Sequence, residues 1–290
     1  MSHMRKWADG RDEALPITAP ILHVLHARAL KDSPNSAAAC VFDAVCLGLQ
    51  TGSRCSEYCK GNPTDPSDSF CRVPTTHYTG DYAGFPIAFI PSDITFLTST
   101  LHYVPADAAL DQASYVRVCF RFDKGGTGNI QERTFQRFPP NRPSFCPLRA
   151  ALRAIARWQS LDIDPLTPLF GYTKTSSHVF LQDSTVTKHL RDATLVAYPD
   201  PTHLYHIRLK DIRTHSIRVT ACLILVVAGL SDHSIEHRLR WASTAWKVYV
   251  RESISQISKA CSSAFFTALE GSTGPPVSYA PQAFDVDDLL

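Results

Sequence analysis

His215-Ser216-Ile217-Arg218 sets an imidazole and a guanidinium three positions apart, a spacing that puts both on one face of a helix, where they can converge on one group. A phosphate suits that pair, because a guanidinium offers paired charge-assisted hydrogen bonds and an imidazole can accept or hand on a proton. Arg240-Trp241 and then Tyr249 follow. Upstream, Thr51-Gly52-Ser53-Arg54-Cys55-Ser56-Glu57 sets a second arginine at the start of a helix, and Lys124 sits in the Gly-rich turn between Asp123 and Gly128. Taken singly, each has a plain structural reading. Arg54 is a surface charge with Glu57 as partner or cap, and Lys124 a solvated turn residue with Lys174 and Lys188 as rivals. His215 is a helix-end or core histidine, Trp241 and Trp246 are core anchors, and Tyr249 is a half-buried helix residue. The meaning lies in the ordered set.

Several elements must position these groups. The run from Ala37 to Gln50 is apolar nearly all round, the pattern of a buried helix, and Thr51-Gly52 stops it just before Arg54. Residues 59–69 are rich in Pro, Asp, Gly and Ser and read as a surface loop. Strand-forming stretches follow at Phe85 to Ile90, Ile94 to Leu97, Tyr115 to Phe122 and Arg133 to Phe138, the last two joined by the hairpin turn that carries Lys124. The second half is helical. Cys146 to Trp158 places Leu148, Ala151, Leu152 and Ile155 on one face and Arg149, Arg153 and Arg157 on another. A helix from Thr214 to Ala228 closes at Gly229, Ser231 caps a short helix through Leu239, and Ser243 caps another that carries Trp246 and Tyr249. A last helix spans Ile254 to Leu269, ahead of a Gly/Pro linker and an acidic, apolar tail.

The chain has 290 residues, 44% hydrophobic and 19% charged, with a net charge of +2. Those values fit one large domain or two small ones, exclude a disordered chain, and do not by themselves announce a nucleic-acid partner. Charge is uneven, however. Between Arg117 and Arg157 nine Lys or Arg face two acids, Asp123 and Glu132, whereas Asp285, Asp287 and Asp288 gather near the end. A basic face of this kind could neutralise phosphates; a solvated surface is the plain alternative. Cys55, Cys59 and Cys71 lack zinc-site spacing, so the nine cysteines read as reduced, largely buried thiols, with no metal expected. No signal peptide is visible, the longest apolar run, Ala221 to Ala228, is too short to span a bilayer, and Ser2-His3-Met4 reads as a cloning scar.

In this order the residues resemble the catalytic domain of the tyrosine recombinase (phage-integrase-like) family. Its pattern is an arginine in a TGxRxSE-like motif, a hairpin lysine, His-x-x-Arg, a His or Trp, and a tyrosine nucleophile. The matching positions are Arg54, Lys124, His215, Arg218, Trp241 and Tyr249. The resemblance runs from about Pro16 to Glu252, and the strings at 146–153 and 240–249 are similar to recombinases of eukaryotic Crypton and retrotransposon-type elements. It implies that the Tyr249 phenolate attacks a DNA phosphodiester while Arg54 and Arg218 stabilise the charge on its oxygens. A phenol with an ordinary pKa of about 10 needs help to ionise. His215 is the base, Lys124 the acid for the 5′ oxygen, and Trp241 a donor to the phosphate. Glu57 supports the first arginine, and Arg117, Arg121, Arg133, Arg240 and Lys247 are the candidate DNA contacts. No cofactor is implied.

The resulting expectation is an α+β fold, mainly helical, with a small antiparallel sheet. Residues 1–15 are scar and linker, 16–252 the catalytic domain, and 253–290 a C-terminal helix and tail exchanged between protomers. The expected function is site-specific DNA strand exchange through a 3′-phosphotyrosine by a tetramer on synapsed double-stranded DNA, dimeric or monomeric without it. A type IB topoisomerase-like enzyme and a non-catalytic DNA-binding protein are the alternatives. The location is nuclear for a eukaryotic mobile element and otherwise cytoplasmic, with no membrane partner. The family's N-terminal core-binding helical domain is not recognisable here, and the 59–82 loop is long for its position.

Overall fold

Helix α2, Ala37–Thr51, runs through the middle of the molecule and buries almost every side chain it carries. The structure, a computed structural model, describes residues 14–59, 86–121, 130–140, 144–161, 163–241 and 247. Ser36 caps α2 by accepting from the Ala39 amide, and Gly52, at φ 58°, ends it in the left-handed conformation. Around α2 pack α1 (Ala19–Lys31), α5 (Pro147–Gln159), α6 (Asp183–Ala197) and α8 (Thr214–Val227). A Cβ on Gly48 would stand 2.9 Å from Ile217, so this glycine allows the close crossing of α2 and α8.

The fold is mixed α and β, 51% helical over the described residues, with small antiparallel sheets. One sheet has the order β2-β1-β3-β4, from Tyr103–Val104, Ile94–Leu97, Tyr115–Phe120 and Gln131–Gln136. Along β3 burial alternates: Val116, Val118 and Phe120 enter the core while Tyr115, Arg117 and Cys119 stay half-buried. A separate hairpin pairs β5 (Gly171–Lys174) with β6 (Ser177–Phe180). Short helices α3 (Cys55–Tyr58), α4 (Ala109–Gln112) and α7 (Leu204–Ile207) bridge larger elements, and α9 (Asp232–Leu239) starts at Ser231, whose hydroxyl accepts from the Ser234 amide. No helix of the described residues is long and apolar enough to cross a membrane.

Two readings of the sequence need correction. Phe85 to Ile90 does not form a strand over its described residues. The Phe89 amide donates to the Glu57 carbonyl at 2.8 Å and the Phe89 carbonyl accepts from Leu169 at 2.6 Å, so its backbone is satisfied without a ladder. Two arginines of the basic run, Arg121 and Arg157, are also internal. Arg121, with a side chain 2% exposed, is bound to Asp93 through its Nε at 2.7 Å and its Nη2 at 2.8 Å, so it braces the sheet rather than facing a duplex. Arg157 and Arg153 converge on Asp43, each at 2.6 Å, in the apolar middle of α2. Burial pushes the Asp43 carboxyl up while these two arginines pull it down. A carboxylate so deep needs both partners.

Candidate active site

The turn after α2 delivers Arg54. A Cβ on Gly52 would lie 2.5 Å from Leu239, so the chain passes directly under the end of α9 before Arg54 opens α3. Glu57, one turn on, accepts the Arg54 backbone N–H at 2.7 Å and lies 3.6 Å from its guanidinium. Arg54 keeps 34% of its side chain exposed. Tyr58 donates its hydroxyl to the Thr214 carbonyl at the head of α8, which ties α3 to the helix that carries His215 and Arg218.

Arg240 completes the inner layer. Its two terminal nitrogens donate to the two oxygens of Glu57, at 2.8 Å each, and the side chains are only 4% and 7% exposed. The guanidinium also lies 3.5 Å above the Phe120 ring, a favourable cation–π stack. Burial raises the Glu57 carboxyl, but Arg240 and Arg54 outweigh it and hold it below the ordinary value. Arg240 is therefore an internal partner, which corrects its assignment as a DNA contact. Its backbone, at φ 58° and ψ 47°, is left-handed, a conformation that disfavours side chains. Sequence reasoning missed the pair because its members stand 183 positions apart.

The outer layer holds the remaining described candidates. Arg218 is 8% exposed and stacks 4.5 Å over the Trp241 ring, so the indole orients the guanidinium through its face. Burial, with Arg218 and Arg213 beside it, pushes the His215 imidazole down to about 4, leaving it neutral at physiological pH. Two guanidiniums, from Arg54 and Arg240, thus hold one carboxylate, and a third, from Arg218, stands between the Trp241 ring and the His215 imidazole. The local field is positive and suits an anion.

Lys124 and Tyr249 lie outside the described residues, as do the 59–82 loop beyond Cys59, most of the helix expected after Ser243, the helix over 254–269 and the tail. The other proposed DNA contacts have protein partners. Arg133 donates to the His237 carbonyl at 2.9 Å, Arg117 lies 3.4 Å from Glu132, and Lys247 pairs with Asp232. Arg117 and Lys247 keep about a third or more of their side chains open, at 32% and 42%. Asp183, which the sequence reading passed over, accepts from Thr214 at 2.5 Å and from Cys55 at 3.2 Å, locking α6 to both segments of the site. No family model matches the chain, and no curated protein matches it.

Proposed function

We propose that the chain is a DNA strand transferase of the tyrosine recombinase type. The observation that carries the reading is that three distant segments are tied together: Arg54 and Arg240 share Glu57, Trp241, next to Arg240, stacks on Arg218 beside His215, and Tyr58 bonds to Thr214 at the head of the His215 helix. In the proposed reaction the Tyr249 oxygen attacks a backbone phosphorus, the bond to the 5′ oxygen breaks, and a 3′-phosphotyrosine forms. His215 takes the phenol proton, and Lys124 gives one to the departing 5′ oxygen. Arg54 and Arg218 bind the non-bridging oxygens, where charge grows in the transition state. Trp241 holds Arg218 in its plane, and Glu57 fixes Arg54. The phosphotyrosine keeps the energy of the broken bond, so a second 5′ hydroxyl reseals it by the reverse steps, without ATP.

The test is covalent trapping. A pool of nicked duplexes of randomised sequence is incubated with the chain, so that cleavage beside the nick releases a short strand that cannot religate. The expected result is a protease-sensitive protein–DNA adduct on a denaturing gel, with a recurring sequence at the cleavage point. A duplex-binding protein that forms no adduct with any member of the pool would defeat the proposal in favour of a non-catalytic DNA-binding role. Plasmid relaxation without strand exchange would direct it to a topoisomerase.

A further inference from the structure

With Arg121, Arg157 and Arg240 turned inward, a duplex needs other cations to hold its backbone. The β5–β6 hairpin, the first turns of α6 and the start of α2 enclose an open cleft of about 510 Å³. Lys174 stands at the end of β5 and Lys188 on α6, while Ser36, Thr173, Ser184 and Thr185 bring hydroxyls to the same space. No acid lines it. The nearest acid of the helix start, Asp183, turns to Thr214 and Cys55 instead. Lys188 is held by Asp192, four residues on, in an exposed pair of the kind that contributes little and that a phosphate can displace.

The cleft is held in shape. Thr173 donates its backbone N–H to the Asn35 carbonyl at 2.9 Å, which fastens the hairpin to the entry of α2. Thr175 and Ser176, at φ 47° and 66°, make the tight turn beside Lys174. Cations together with short hydroxyl donors on a fixed frame are the groups that contact DNA phosphates and set the register of a protein on a duplex, without reading its sequence.

We infer that this cleft is a second contact surface for the phosphodiester backbone of double-stranded DNA, engaged by Lys174 and Lys188 and by the hydroxyls of Ser184 and Thr185. The inference rests on the proposed DNA reaction, and binding tests it separately from cleavage. Affinity for a fluorescently labelled duplex is measured by anisotropy over a series of salt concentrations, for the unaltered chain, Lys174→Gln/Lys188→Gln and Lys174→Arg/Lys188→Arg. Each lost phosphate contact lowers the slope of log affinity against log salt by about 0.9, so the glutamine pair lowers it by about 1.8. The arginine pair keeps the slope of the unaltered chain. An unchanged slope in the glutamine pair, with duplex binding intact, overturns this surface and leaves the catalytic reading standing. An unaltered chain that binds no duplex overturns both.

Discussion

Arg240 and Glu57 share two hydrogen bonds of 2.8 Å across 183 positions of chain, and through them the start of α3 and the end of α9 become one unit. The pair ties the segment that carries Arg54 to the segment that carries Trp241. Its removal is not neutral. Arg240→Met leaves the Glu57 carboxylate buried without its main cation, a change that costs about 3 kcal/mol when a buried pair is broken. Urea denaturation at pH 7 checks it. In the unaltered chain the Glu57 carboxyl is lowered, so its stabilisation is present above the unfolded value and fades as pH falls through the folded one. The difference between the two proteins therefore shrinks under acid conditions.

The left-handed backbone at Arg240 gives a second, opposed prediction. Arg240→Gly and Arg240→Ala both lose the pair, but glycine accepts φ 58° without strain. The glycine variant retains about 1 kcal/mol more stability than the alanine variant. Equal stabilities would show that the backbone stores no strain there.

Gly52 and Gly229 separate backbone strain from crowding. Both have positive φ, 58° and 73°, yet nothing lies within 4 Å of a Cβ at Gly229 while Leu239 lies 2.5 Å from one at Gly52. Gly229→Ala costs about 1 kcal/mol from the backbone alone. Gly52→Ala adds overpacking and costs roughly 2 to 4 kcal/mol. Thermal unfolding of the two variants ranks them.

His215 supplies a pH signature. Its folded-state value, about 4, lies below the ordinary histidine value, so the unfolded chain binds the extra proton more readily. Stability from this residue is present above pH 6.5 and is lost as pH falls from about 6.5 toward 4, by on the order of 2 kcal/mol. His215→Gln flattens that part of the pH–stability curve. An NMR titration of the ring proton reads the value itself.

Much of the frame was legible in the sequence because its signals are local. The buried run of α2 with its Gly52 stop, the Gly229 end of α8 and the Ser231 cap of α9 need only neighbouring residues, and each stands where the sequence puts it. Helix α6 escaped notice because it is mostly polar and buries only Val186, Leu190, Ala193 and Thr194. The β5–β6 hairpin was hidden by a Thr-Ser tip in place of the usual Asn-Gly. The charges were the least legible. Whether Arg157 faces water or Asp43 depends on a helix 114 positions away, and no periodicity within α5 reports that. The candidate site was legible as a set of residue types, while its inner layer, Glu57 with Arg240, was visible only in three dimensions.

The most direct test of the central claim is to digest the trapped protein–DNA adduct and find which residue carries the nucleotide by mass spectrometry. The account predicts a single modified peptide with the phosphodiester on Tyr249, and no adduct from Tyr249→Phe at unchanged duplex affinity. An adduct on another residue, or one that persists in Tyr249→Phe, would contradict it.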